Sequence, residues 1–266
     1  MLNKTLYCRE MRRNVKLLVL FGLIISMYVY IIISMYDPKM MEMMDNFAKL
    51  MPELMAAMGM TTDTANLMAF MISYLYGFIL LIFPMVFSIL RGHGLVAAYV
   101  DKGSMASLLA APVKRRTIIL TQMAALISGI VILVVYSTVL EYACAGVLFP
   151  GELEGQKLLL LNAGLLCLQL FIGSVCFLAS TIFSDSKYSI GFGAGIPALM
   201  YVIQMLANVG GAAEKAKYFS FFTLYAPDKI VNGESGGISG IVILLVGAVI
   251  LYAASAVIFE KRDLAI

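Results

Sequence analysis

Few residues in this chain are of types that do chemistry, and their spacing assembles no reaction centre. The single histidine, His93, lies just past an apolar run and has no serine or cysteine beside it to activate, which a nucleophile–base pair requires. The simplest reading makes it a solvated loop residue. Cys8, Cys144, Cys167 and Cys176 form no CxxC pair, so neither a disulfide framework nor a zinc site is signalled. No GxxxxGK[ST] phosphate loop and no HExxH helix occur, which removes nucleotide binding and metalloprotease chemistry from the chain itself. One soft-ligand cluster remains, eight methionines between Met40 and Met60. Thioethers suit Cu(I), but Met40, Met44, Phe47, Met51, Met55 and Met58 also fall at helical spacing, and the same stripe serves as adaptable apolar packing.

The elements that must carry these residues are membrane helices. The chain has 266 residues, 62% hydrophobic and 13% charged, with a mean hydropathy of +0.94; a soluble domain would carry about a quarter charged residues. Six apolar runs, 17–36, 67–90, 118–140, 158–182, 189–208 and 238–259, approach or exceed the roughly 20 residues that a helix needs to cross hydrocarbon. They are continuous and not alternating, which argues against a β-barrel. The expectation is one all-α integral membrane domain over residues 1–266. The first run is longer than the apolar core of a signal peptide, about 7–15 residues, and lacks a small-residue cleavage pattern.

Lysine and arginine placement sets the orientation. Thirteen of the 19 basic residues fall on the side of both termini and six on the other, so both termini are expected in the cytoplasm. The net charge of +3 follows from that topology and points to no nucleic acid. Residues 1–16 hold Arg9, Arg12, Arg13 and Lys16; two readings fit, a short helix on anionic lipid headgroups or an ordinary basic flank.

Inside the runs, polar and small residues form stripes: Gln122, Gly129 and Tyr136; Asn162, Gln169, Gly173, Cys176 and Ser180; Tyr201, Gln204 and Asn208. Such stripes ordinarily join helices. Pro84 predicts a kink in the second run. No Asp, Glu, Lys, Arg or His falls within the six runs, with Glu141 and Lys157 at their edges; ion-coupled carriers usually hold ionisable groups there. Between the fifth and sixth runs, YFSFFTLY is apolar but too short to cross, and reads as an external re-entrant hairpin. The chain has the character of a machine part without an engine.

The stretch 94–116, GLVAAYVDKGSMASLLAAPVKRR, is too charged for hydrocarbon yet helical in period, and Pro112 ends it. This run resembles the cytoplasmic turn of type-2 ABC transporter permeases: an acidic residue, Gly then Ser, a Leu-Leu pair, then Pro and basic residues leading into the third span. The ending AVIFEKRDLAI is similar to the ending of the same family, and the six spans, basic N-terminal segment and aromatic hairpin extend the likeness along the whole chain. Ala106 and Gln122 depart from the acidic and lysine residues common at those positions.

The resemblance implies a permease subunit of an ATP-driven exporter, without catalytic residues or a cofactor of its own. It would pair with a second permease chain, identical or homologous, and sit on a cytoplasmic ATPase that binds ATP and magnesium, in the cell membrane and its lipid. Asp101, Gly103, Leu108, Leu109 and Pro112 would shape the docking helix, with Lys114, Arg115 and Arg116 at its membrane end, unless those three only anchor topology. The path would lie at the dimer interface and nominates Ser73, Tyr76, Tyr201 and Gln204. An uncharged interior implies an amphipathic or hydrophobic solute, such as a drug, an antimicrobial peptide or a lipid-linked molecule. A non-transporting immunity or sensor component, or a copper- or sodium-related member of the family, fits the same residues.

Overall fold

A computed structural model describes residues 2–37, 46, 49–59 and 66–262. Among these residues, six helices are long and apolar enough to cross a bilayer: Lys4–Ser34, Leu67–Asp101, Arg115–Leu148, Gly155–Ile182, Ser186–Val209 and Ser235–Lys261. No strand occurs among the described residues. The fourth span is the axis of the bundle, packed against the second, third, fifth and sixth, while the first runs along the third. Apolar faces such as Val19, Leu23 and Met27 on the first span, Leu199, Val202 and Leu206 on the fifth, and Val242, Val246 and Val249 on the sixth remain exposed, the composition that lipid requires.

The second span is not one regular helix. It starts as an α-helix at Leu67–Met71, where the Asn66 side chain accepts from Ala69 N at 2.8 Å. It then widens to a π-helix over Ile72–Ile79 and returns to α over Leu80–Leu95. Pro84, inside the last part, has no N–H for the Leu80 carbonyl four residues back. Gln169 of the fourth span supplies the missing donor, its Nε2 lying 3.3 Å from Leu80 O and 2.9 Å from Leu81 O. The fifth span repeats the arrangement: Pro197 lies inside it, and the freed Gly193 carbonyl takes the Cys176 thiol at 3.2 Å. In hydrocarbon an unpaired backbone carbonyl costs several kcal/mol, so two members of the fourth-span stripe exist to satisfy prolines in its neighbours. Gly129 lets spans two and three close up, since a Cβ there would meet Phe87 Cε1 at 2.8 Å.

The basic N-terminal segment and the first span form one element. The first helix is continuous from Lys4, capped by Asn3, whose Oδ1 accepts from Leu6 N at 3.0 Å. Leu6, Glu10 and Asn14, four apart on one face, are buried; Asn14 Nδ2 donates to Ala125 O at 3.0 Å and the Tyr7 hydroxyl to Ser128 Oγ at 2.8 Å. Asn3 and Arg262 lie at this same end of the bundle, the Asn3 amide donating to Thr121 Oγ1 at 3.0 Å. Arg115 Nη1 donates to the Arg262 carbonyl at 3.0 Å, and Arg262 donates to Thr181 O at 2.7 Å and Ser184 Oγ at 2.6 Å. The EKR ending therefore ties the third, fourth and sixth spans together.

Candidate functional site

The polar stretch 94–116 folds as two short helices, Ala97–Asp101 and Ser104–Leu109. Gly103 separates them at φ +67°, the left-handed conformation that glycine adopts without strain. Asp101, Gly103, Pro112, Lys114 and Arg116 are exposed here; Leu108, Leu109 and Arg115 are half-buried. The two leucines pack partly on the core, and Met105 is buried. Arg115 holds the Arg262 carbonyl, and Arg116 faces Glu260 at 3.6 Å.

Behind these helices lies an ionic knot that the sequence did not disclose. Tyr99 donates its hydroxyl to Glu10 Oε1 and accepts from Arg13 Nη1 at 2.6 Å and Arg9 Nη2 at 3.1 Å. Arg91 Nη2 pairs with Glu10 Oε2 at 3.2 Å. Glu10 is fully buried and Arg91 nearly so, so the first helix, the end of the second and the polar turn are joined by one carboxylate. A further link runs from Ala97 N to Ser180 Oγ at 2.9 Å.

At the opposite end of the bundle a cavity of about 440 Å³ opens between the π-helical part of the second span, the last turns of the fifth span and the hairpin before the sixth. Of the four nominated path residues, Tyr76, Tyr201 and Gln204 line it; Ser73 is fully buried and does not. Tyr201 donates its hydroxyl to Gly77 O at 3.3 Å, Gln204 Nε2 donates to Asn208 Oδ1 at 2.9 Å, and the Thr223 hydroxyl donates to Gln204 Oε1 at 2.7 Å. The hairpin consists of 3₁₀ turns at Gly211–Phe219 and Phe221–Leu224 and a short helix, Pro227–Val231. Phe222, Tyr225 and Ile230 are buried, and Gly237 and Gly240 let this segment lie directly on the sixth span. Sequence reasoning missed Thr223 and Tyr225 as lining residues, because nothing in YFSFFTLY says which side chains turn inward.

The expectation of a bundle interior free of ionisable groups is overturned. Glu141 lies inside the third helix, which continues to Leu148, and is fully buried. The Tyr76 hydroxyl donates to Glu141 Oε2, and Asn162 Nδ2 donates to Tyr76 Oη at 2.6 Å and to Glu141 Oε2 at 3.2 Å. The sequence hid this because Glu141 follows the last residue of an apolar run, where helices usually emerge. Lys157, by contrast, is at an edge and pairs with Glu154 at 2.7 Å. Of the methionine stripe, Met55 is buried against Phe70 and Tyr74, while Met40, Met44 and Phe47 lie outside the described residues.

Six apolar helices in one bundle with the fourth at its centre, a cavity at one end and a polar helical turn at the other, define a multi-pass helical membrane protein. A family model described as ABC-2 family transporter protein matches residues 5–264. The chain belongs to that family and is a membrane component of an ABC transporter. No curated protein and no solved structure matches it.

Proposed function

We propose that this chain is the permease subunit of an exporter powered by a separate ATPase, and that the cavity between the second span, the fifth span and the hairpin is the outward part of the solute path. Family membership along nearly the whole chain carries the reading. The basic end faces the cytoplasm, as the positive-inside rule requires, and its paired short helices around Gly103 offer Asp101 and the leucines to the ATPase. Movement of those helices reaches the first span through Tyr99 and Glu10, and the fourth span through Ala97 and Ser180. The second and fifth spans, which line the cavity, are the two interrupted by prolines within the helix. Bends there can change the cavity while the fourth span stays fixed. A second permease chain completes the path.

The test is mild detergent purification of the tagged chain from its native membranes, followed by measurement of ATP hydrolysis. The expected result is a stoichiometric ATPase, lost from the Asp101→Lys variant while that variant remains folded and membrane-inserted. Absence of any ATPase from the wild-type preparation would overturn the reading.

A further inference from the structure

The chain buries two carboxylates completely and treats them differently. Glu10 has three arginines within 3.6 Å, from Arg9, Arg13 and Arg91. Glu141 is equally buried, yet its hydrogen-bond partners are the neutral Tyr76 and Asn162. Its second oxygen, Oε1, and the neighbouring Asn162 Oδ1 have no partner among the described residues. Both are acceptors, and both are out of water. When ionised, Glu141 is a buried charge without a counter-charge beside an orphaned acceptor, a costly state in a low-dielectric interior. A single positive charge would relieve that cost.

The place where such a charge can arrive is the cavity. Tyr76, whose hydroxyl is bonded to Glu141, forms part of its floor together with Tyr225. The carboxylate therefore lies one tyrosine side chain behind the wall, with aromatic and apolar groups between it and the space. Low-dielectric walls focus a buried charge's field into a cleft, and aromatic rings attract cations in the same sense. The space is of ligand size, since small-molecule sites run to about 300–1,000 Å³. At the rim Asp228 and Lys229 carry opposite charges, so the mouth contributes little net field.

We propose that Glu141 is the counter-charge that selects solutes carrying one positive charge, an ammonium group on an apolar body, in this cavity. The proposal rests on the cavity being the solute path and narrows the amphipathic or hydrophobic solute to one that carries a single positive charge. Glu141 acts through the floor as a specificity-determining residue.

Equilibrium dialysis on the purified full-length chain in nanodiscs tests it, with empty nanodiscs as the partition control. Two probes share one cage: 1-adamantanamine, charged at neutral pH, and 1-adamantanol, which is not. In the wild type the amine should bind about tenfold tighter than the alcohol, because a carboxylate's field acting across a low-dielectric wall favours the charged probe. In Glu141→Gln that ratio should fall to about one with alcohol binding retained, which also reports that the variant is folded. In Ala226→Trp, which fills the cavity, binding of both probes should fall. A wild-type ratio near one, or a ratio unchanged in Glu141→Gln, overturns the charge selection while leaving the cavity as a binding site. Failure of both probes to bind the wild type, or binding indifferent to Ala226→Trp, overturns the cavity reading as well.

Discussion

Cys176 and Gly193 are joined by a thiol-to-carbonyl hydrogen bond of 3.2 Å, and that carbonyl is the one Pro197 leaves without a donor in its own helix. Gln169 does the same for Leu80 beneath Pro84. The fourth span thus stabilises a proline break in each of the two spans that border the cavity. Replacing Gln169 with Leu should lower stability by about 1 kcal/mol, the scale of interhelical hydrogen bonds in membranes. Most of that loss should vanish when Pro84→Ala is added, since the helix then satisfies Leu80 itself. Thermal unfolding of the four proteins of this cycle in one detergent measures the coupling; additive losses would contradict it.

Glu10 should be among the least tolerant positions at the basic end. In Glu10→Ala the nearly buried Arg91 loses its counter-charge, and breaking one side of a buried pair costs about 3–5 kcal/mol. The expected result is a large fall in Tm or loss of the folded protein, with partial recovery in Glu10→Ala/Arg91→Met. No recovery would indicate that Tyr99, and not the ion pair, holds the knot.

Gly240 sets the seat of the hairpin. A Cβ at this position would collide with the carbonyl of Leu224, and backbone cannot yield as a flexible side chain can. Gly240→Ala should lift the hairpin from the sixth span, seen as faster proteolysis near Lys215 and Lys217, with the six spans intact.

Arg262 links the sixth span to Thr181 and Ser184 through two short hydrogen bonds. Arg262→Lys keeps the charge but not the planar fork that reaches both acceptors. Stability should drop by about 1 kcal/mol, read as a lower Tm; an unchanged Tm would mean that the basic ending only marks topology.

What the sequence disclosed followed from length and period. Six apolar runs were legible because hydrocarbon demands a continuous stretch, and the polar turn because its charges cannot lie in it. Tyr76, Tyr201 and Gln204 could be nominated together from the family likeness alone, and they line one cavity. What stayed hidden was pairing between distant residues. Glu10 sits within a basic flank, and nothing local reveals Arg91 some eighty positions on. Glu141 looked like an edge because apolarity stops there, although the helix does not. Gln169 and Cys176 read as ordinary helix-joining residues, since the prolines they serve lie in other spans.

The most direct test of the account is whether the cavity senses nucleotide. With the four native cysteines replaced, Gln204→Cys in the complete transporter should react with a membrane-impermeant maleimide at rates that differ severalfold between the nucleotide-free state and the state trapped with ATP and vanadate. Equal rates in both states, in a preparation that hydrolyses ATP, would contradict the placing of this cavity on a nucleotide-driven path.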